Sequence, residues 1–221
     1  AGLNSSGLQS AGGIGKVMSE WMRDGHPPVD LWEVDVRRNM RFQGNRKYLQ
    51  ERVSESLGLL YATHWPFRQY ETARGIRKSA VHDRLVAAGA CHGEAFGWER
   101  PNWYAPKGVT PKYEYSYGRQ NWFEHSAAEH RAVRAAVGLF DQSSFAKFRL
   151  EGRDAVKVLN NICANDVDQK PGRLIYTQWL NERGGIEADL TVTRVDEQTF
   201  LVVTAAETET RDYAWLKSHI A

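Results

Sequence analysis

The sequence predicts an α+β protein, and three features carry that reading. Apolar residues recur at helical spacing in several separate segments, strand-like alternation dominates much of the last eighty or so residues, and Gly184-Gly185 stands between two strand patterns where a hairpin turn belongs. In chain order, Leu8, Ala11, Ile14, Met18, Trp21 and Met22 place one apolar stripe on a first helix. Asn4, Ser5 and Ser6 offer N-cap oxygens for it, and Gly25 followed by Pro27-Pro28 stops it. Residues 29–36 (VDLWEVDV) alternate loosely, as a short strand or extended connector. A second helix is expected over 45–60, capped by Asn45, with Tyr48, Leu49, Arg52, Val53, Leu57 and Leu60 near one face. A short helix over 79–88 follows, capped by Ser79 and closed by Gly89, and then the strand-like ACHGEAF and the segment GWERPNWY.

After a polar, Pro-containing stretch to about residue 118 the texture changes. NWFEHSAAEHRAVRAAVGLF reads as a helix and FAKFRLEG as a strand. Another helix is expected at 153–163, strands at LIYTQWL, ADLTVTRV and TFLVVTA, and a last helix around 207–219. No internal repeat or low-complexity segment appears. The chain begins at Ala1 on a glycine-rich stretch and ends just after a helical pattern, so it reads as a piece of a longer protein.

Composition narrows the function classes. At about 150 residues per domain, 221 residues make one large domain or two small ones. The 29 basic and 27 acidic residues leave a net charge of +2, which supplies no electrostatic footprint for nucleic acid. No apolar run approaches the roughly 20 residues of a membrane helix. The two cysteines, Cys91 and Cys163, form no CxxC pair and suit a reducing compartment, so a cytoplasmic location is expected, or the mitochondrial matrix in a eukaryote.

Several motifs fail on inspection. Gly13-Ile14-Gly15 opens a GxGxxG pattern, but Met18 occupies the third glycine position. A phosphate-binding loop fails because Val17 follows Lys16 where Ser or Thr is needed. The glycines at 2, 7, 12, 13 and 15 would let another surface approach the backbone, and the free N–H groups of the helix start would suit negative charge. The same glycines suit tight helix packing without a ligand. The seven histidines form no metal-ligand pattern, and Cys91 and His92, adjacent in a strand, point to opposite faces. Strand alternation places Asp189 with Thr191 and Thr193 on one face and Leu190 and Val192 on the other. A carboxylate there can meet a ligand amine or simply face solvent.

Taken together, the segments resemble a known family. AGLNSSGLQSAGGIGKVMSEWMRDGHPPVDLWEVDVRR is similar to the end of the flavin domain of dimethylglycine and sarcosine dehydrogenases. ETARGIRKSAVHDRL and GWERPNWY resemble that family's central domain. NWFEHSAAEHRAVRAAVGLFDQSSFAKFRLEGRDA, ANDVD and LNERGGIEADLTV resemble the start of its folate-binding domain, which is similar to the glycine-cleavage aminomethyltransferase. The match covers essentially the whole chain in the correct order. The regulatory subunit of pyruvate dehydrogenase phosphatase shares this architecture, and AGLNSSGL and WLKSH resemble it too.

The resemblance implies domains at 1–36 (the end of a FAD-binding domain), 37–118 (central domain) and 119–221 (a truncated aminomethyltransferase-like domain). It implies an N-methyl amino acid dehydrogenase in which FAD takes hydride from the N-methyl group and tetrahydrofolate captures the one-carbon unit. The partners implied are a small N-methyl amino acid and the remainder of the same chain; nucleic acid and membranes are not among them. Gly2, Leu3, Asn4, Ser5, Gly7 and Leu8 match the segment that lies against FAD. Asp189 matches the acidic residue that addresses folate and acts in catalysis, and Tyr176 falls where the family lines the pterin pocket. The chain departs from the transferases at Thr204, where they carry Asn, and at Ala188, where they often carry a second acid. The resemblance also leaves open a non-catalytic regulatory homologue. As a fragment, the chain alone is expected to be inactive.

Overall fold

The computed structural model describes residues 7–220. It has the expected mixture of helix and antiparallel sheet and divides into two compact units, one ending at Arg38 and one beginning at Asn39.

In the first unit, helix α1 runs Gly7–Asp24. It ends as the sequence predicts: Gly25 adopts φ +77 and its N–H donates to the Trp21 carbonyl at 2.9 Å. No residue of α1 is buried. Residues 29–36 are neither strand nor extended connector. They wind into two 3₁₀ turns, Trp32–Val34 and Val36–Arg38. Short aspartates cause this: Asp30 accepts the Trp32 N–H at 2.9 Å, and Asp35 accepts the Arg37 N–H at 2.8 Å, bonds that curl the backbone instead of extending it.

The second unit opens with α2, Arg46–Leu59, whose cap is Asn45, accepting from the N–H groups of Lys47 and Tyr48. Of the residues that helical spacing sets near one face, the cation is buried and the aliphatic ones are not. Arg52 is the buried residue of α2, while Leu49, Val53, Leu57 and Leu60 are exposed. Its guanidinium donates to Glu94 Oε2 at 2.9 Å and to the Thr72 carbonyl at 2.7 Å, and it lies 4.1 Å from the Tyr70 ring centroid. Helix α3, His82–Ala87, starts later than expected, because Ser79 offers the His82 N–H its carbonyl and no side-chain cap.

Strands β1, Ala90–Ala95, and β2, Trp98–Tyr104, pair as an antiparallel hairpin. Phe96 and Gly97 both take positive φ at its turn, which matches the twist of the flanking strands. Helix α4, Phe123–Ala135, covers the hairpin: His125 stacks on the fully buried Trp103 at 5.4 Å, and Glu129 accepts the Tyr104 N–H at 2.8 Å.

A four-stranded antiparallel sheet completes the unit. It contains β3 (Ala146–Glu151), β4 (Leu174–Leu180), β5 (Ile186–Arg194) and β6 (Thr199–Thr204), in the order β3-β6-β5-β4. Helices α5, Ala155–Ile162, and α6, Glu209–Ser218, contribute to the core on one face. Leu150, Trp179, Leu190, Val192, Phe200 and Val202 of the strands meet Leu159, Ile162 and Leu216 of the helices there. Each such fully buried side chain contributes about 1.5–3 kcal/mol. All these strand residues project from the same side of the pleat, so every residue between them turns to the opposite, open face.

Candidate functional site on the open face of the sheet

That open face is where Asp189 and Tyr176 come together. β5 carries Asp189, Thr191 and Thr193 outward, and β4 carries Leu174, Tyr176 and Gln178. Asp189 is exposed, as the strand alternation predicts, with Leu190 and Val192 buried behind it. Its register partner is Gln178, whose Nε2 donates to Asp189 Oδ1 at 3.2 Å. Tyr176, paired with Thr191, is one step along the same face. The Asp189 carboxylate beside its hydroxyl holds the phenol proton and raises the Tyr176 pKa above the usual tyrosine value. Leu201 and Val203 of β6 extend the face with apolar surface. Lys147 of β3 donates to the carbonyls of Gln142, Ser143 and Phe145, and Arg149 pairs with Glu151, so both cations are engaged locally.

Two devices present the carboxylate. The first is the β4–β5 turn: Gly184 takes φ +77, and Asn181 Oδ1 accepts the N–H groups of Arg183 and Gly185 at 3.0 and 2.9 Å. The second is a β-bulge. Leu180 pairs with Ile186 but Trp179 pairs with Ala188, which leaves Glu187 as the extra residue. Asn181 Nδ2 donates to Glu187 Oε1 at 2.8 Å, and Arg211 of α6 bonds both the Glu187 carbonyl and its carboxylate. The bulge moves Asp189 opposite Gln178; an unbulged ladder counted from the turn would set it opposite Thr177. Gln178 is thus a site residue that sequence reasoning missed: strand alternation from Tyr176 could have placed it on this face, but held no signal for its register opposite Asp189.

Other sequence-derived candidates fall elsewhere. Gly2, Leu3, Asn4 and Ser5 lie outside the described residues. Gly7 and Leu8 form the first turn of α1, where the Leu8 side chain is fully exposed. Gly12, Gly13 and Gly15 have open space where a Cβ would stand. Ala188 faces the core, as does Thr204, whose hydroxyl donates to the buried Asp212 at 2.5 Å. Position 204 therefore points away from the face that carries Asp189.

Burial disfavours the thiolate form of both cysteines. Cys91 is buried beside Tyr113 and Trp103, which raises its pKa through burial, and burial pushes Cys163 up to about 11. A cleft of about 370 Å³ opens beside Tyr70, Arg74, Tyr113 and Tyr115. Arg74 within it is committed to Glu99 and to the carbonyls of Tyr70 and His92. Among the described residues no cluster of His, Cys, Asp or Glu could hold a metal ion, and no helix is long and apolar enough to cross a membrane.

Residues 81–221 match the family model described as the GCVT N-terminal domain. The chain belongs to the GCVT family. Residues 24–79 of this GCVT protein match the FAD dependent oxidoreductase central domain, so the two models together account for nearly all of it. Among curated relatives it is 48% identical over 217 residues, 98% of the chain, to 4-methylaminobutanoate oxidase (formaldehyde-forming) of Paenarthrobacter nicotinovorans. It is 33% identical over 225 residues to the mitochondrial pyruvate dehydrogenase phosphatase regulatory subunit of Mus musculus, and 31% identical over 211 residues to the mitochondrial dimethylglycine dehydrogenase of Rattus norvegicus. The chain spans only 26%, 26% and 24% of these relatives. The crystal structure of glycine cleavage system aminomethyltransferase T from Bartonella henselae superposes with a TM-score of 0.52 at 29% identity, covering 66% of this chain and 36% of that one.

Proposed function

We propose that this chain is the part of a flavin-dependent N-methyl amino acid dehydrogenase or oxidase that carries the one-carbon acceptor site, with tetrahydrofolate as the acceptor. The supporting observation is Asp189, an exposed carboxylate beside a half-exposed phenol and an amide on the one uncovered face of the sheet. That surface suits a flat heterocycle bearing N–H donors: Leu174, Leu201 and Val203 offer apolar contact, and Asp189 offers an acceptor. When bound, tetrahydrofolate would supply the nucleophilic amine that receives the one-carbon unit. Asp189 would orient that amine, accept its proton and stabilise positive charge nearby, and Tyr176 would line the ring.

In this reading residues 1–36 close a flavin-binding domain, 37–118 form a central domain and 119–221 begin the folate-binding domain; the matched GCVT model itself starts at residue 81. Gly2, Leu3, Asn4, Ser5, Gly7 and Leu8 would contribute to the FAD side. The substrate is a small N-methyl amino acid, and the protein works in the cytoplasm, or in the matrix of a eukaryote. A second reading, a regulatory homologue without turnover, draws on the 33% identity to the phosphatase regulatory subunit, which matches the level shared with the dehydrogenases.

An anaerobic titration of the full-length protein with dimethylglycine, sarcosine and 4-methylaminobutanoate separates the two. Flavin bleaching by any of them supports the oxidoreductase, whereas absence of bleaching by all three favours the regulatory reading. In the bleaching protein, Asp189→Asn is expected to weaken tetrahydrofolate capture about 10–100-fold, the worth of a hydrogen bond to a charged group, and to affect flavin reduction far less. Equal loss in both half-reactions would overturn the role of Asp189.

A further inference from the structure

Resting on the folate reading above, we infer that Gln178 is a positioning residue for Asp189, holding one carboxylate oxygen so that the other is presented to the ligand amine. Gln178 stands directly across the β4–β5 ladder from Asp189, and its Nε2 donates to Oδ1 at 3.2 Å. The carboxylate is acceptor-only when ionised, so the amide must turn its nitrogen toward it. Gln178 also stands two residues from Tyr176 on the same strand face. It therefore neighbours both residues that the folate reading places against the ligand.

Without it, the exposed Asp189 carboxylate keeps the Tyr176 hydroxyl beside it but loses the donor that stands directly across the ladder. Immobilising a ligand-contacting group before the ligand arrives removes part of the ordering cost of binding. The bulge at Glu187 makes the contact possible, since it sets Gln178 and not Thr177 opposite the carboxylate. Arg211 and Asn181 secure that bulge from the α6 side and from the turn.

The test uses the full-length protein and calorimetric titration with tetrahydrofolate in the absence of amine substrate, for Gln178→Met, Gln178→Glu and Asp189→Asn. Gln178→Met keeps the length of the side chain and removes the donor, and is expected to weaken binding about fivefold. Gln178→Glu sets a second carboxylate against Asp189. It is expected to weaken binding more strongly at neutral pH and to regain affinity, relative to wild type, at acid pH, where a protonated Glu donates again. A side chain that served only as packing would show no such pH dependence. Wild-type affinity in Gln178→Met, or a Gln178→Glu defect that pH does not move, would overturn the positioning role while Asp189→Asn still loses binding. If Asp189→Asn binds as wild type does, the folate reading itself has failed.

Discussion

Replacing Arg52 by Met should destabilise the second unit by about 3–5 kcal/mol, the cost of leaving the partner of a buried ion pair uncompensated. Arg52 and Glu94 have side chains only 8% and 7% exposed, and their charged atoms are 2.9 Å apart. Methionine fills much of the volume but gives up both the bond to Glu94 and the bond to the Thr72 carbonyl, along with the cation over the Tyr70 ring. Glu94 keeps only neutral donors such as the Gly97 N–H. In a thermal scan a loss of this size is roughly 6–20 °C for a domain of this length. The assay is urea and thermal unfolding of wild type, Arg52→Met, Glu94→Gln and the double variant. The double variant should cost clearly less than the two single changes added, because it removes both charges together. A loss below about 1 kcal/mol in Arg52→Met, or simple additivity, would refute the view that this pair anchors α2 to the β1–β2 hairpin.

Two further outcomes follow from protonation. The Tyr176 phenol should ionise above the usual tyrosine range, and Asp189→Asn should bring it down; NMR of ring-labelled tyrosine, with Tyr176→Phe to assign the signal, measures this, and an unmoved titration counts against the contact. Because that pKa is raised in the folded state, the associated stabilisation is present below the ordinary tyrosine value and is lost as pH climbs through the raised one. Burial raises the pKa of Asp212, which accepts the Thr204 and Thr208 hydroxyls. A raised carboxyl favours the fold at low pH and loses that contribution as pH rises from the ordinary aspartate range through the raised value. Asp212→Asn should therefore gain stability relative to wild type as pH goes from acid to neutral, as urea midpoints would show; a constant difference would contradict the raised pKa.

Local sequence signals were reliable where a local physical rule operates. Asn45 caps α2 and Gly25 ends α1, because capping depends on a side chain and the few N–H groups beside it. Strand period two placed Asp189 outward and Leu190 and Val192 inward, and Gly184-Gly185 marked the turn. The motif order marked the family, which the GCVT and oxidoreductase models match over residues 81–221 and 24–79.

Other features depended on contacts between distant parts of the chain. The buried face of α2 is set by Glu94, forty-two residues away, so helical periodicity alone held no signal that Arg52 is buried while Leu49 and Val53 are not. Residues 29–36 curl because Asp30 and Asp35 compete for backbone N–H groups that a strand would offer to a neighbour. The sequence by itself determined which residues alternate and where the chain turns. Only the tertiary structure decided what stands opposite Asp189: Arg211 of α6 and Asn181 of the turn hold Glu187 as a bulge, and that single extra residue shifts the cross-strand pairing onto Gln178.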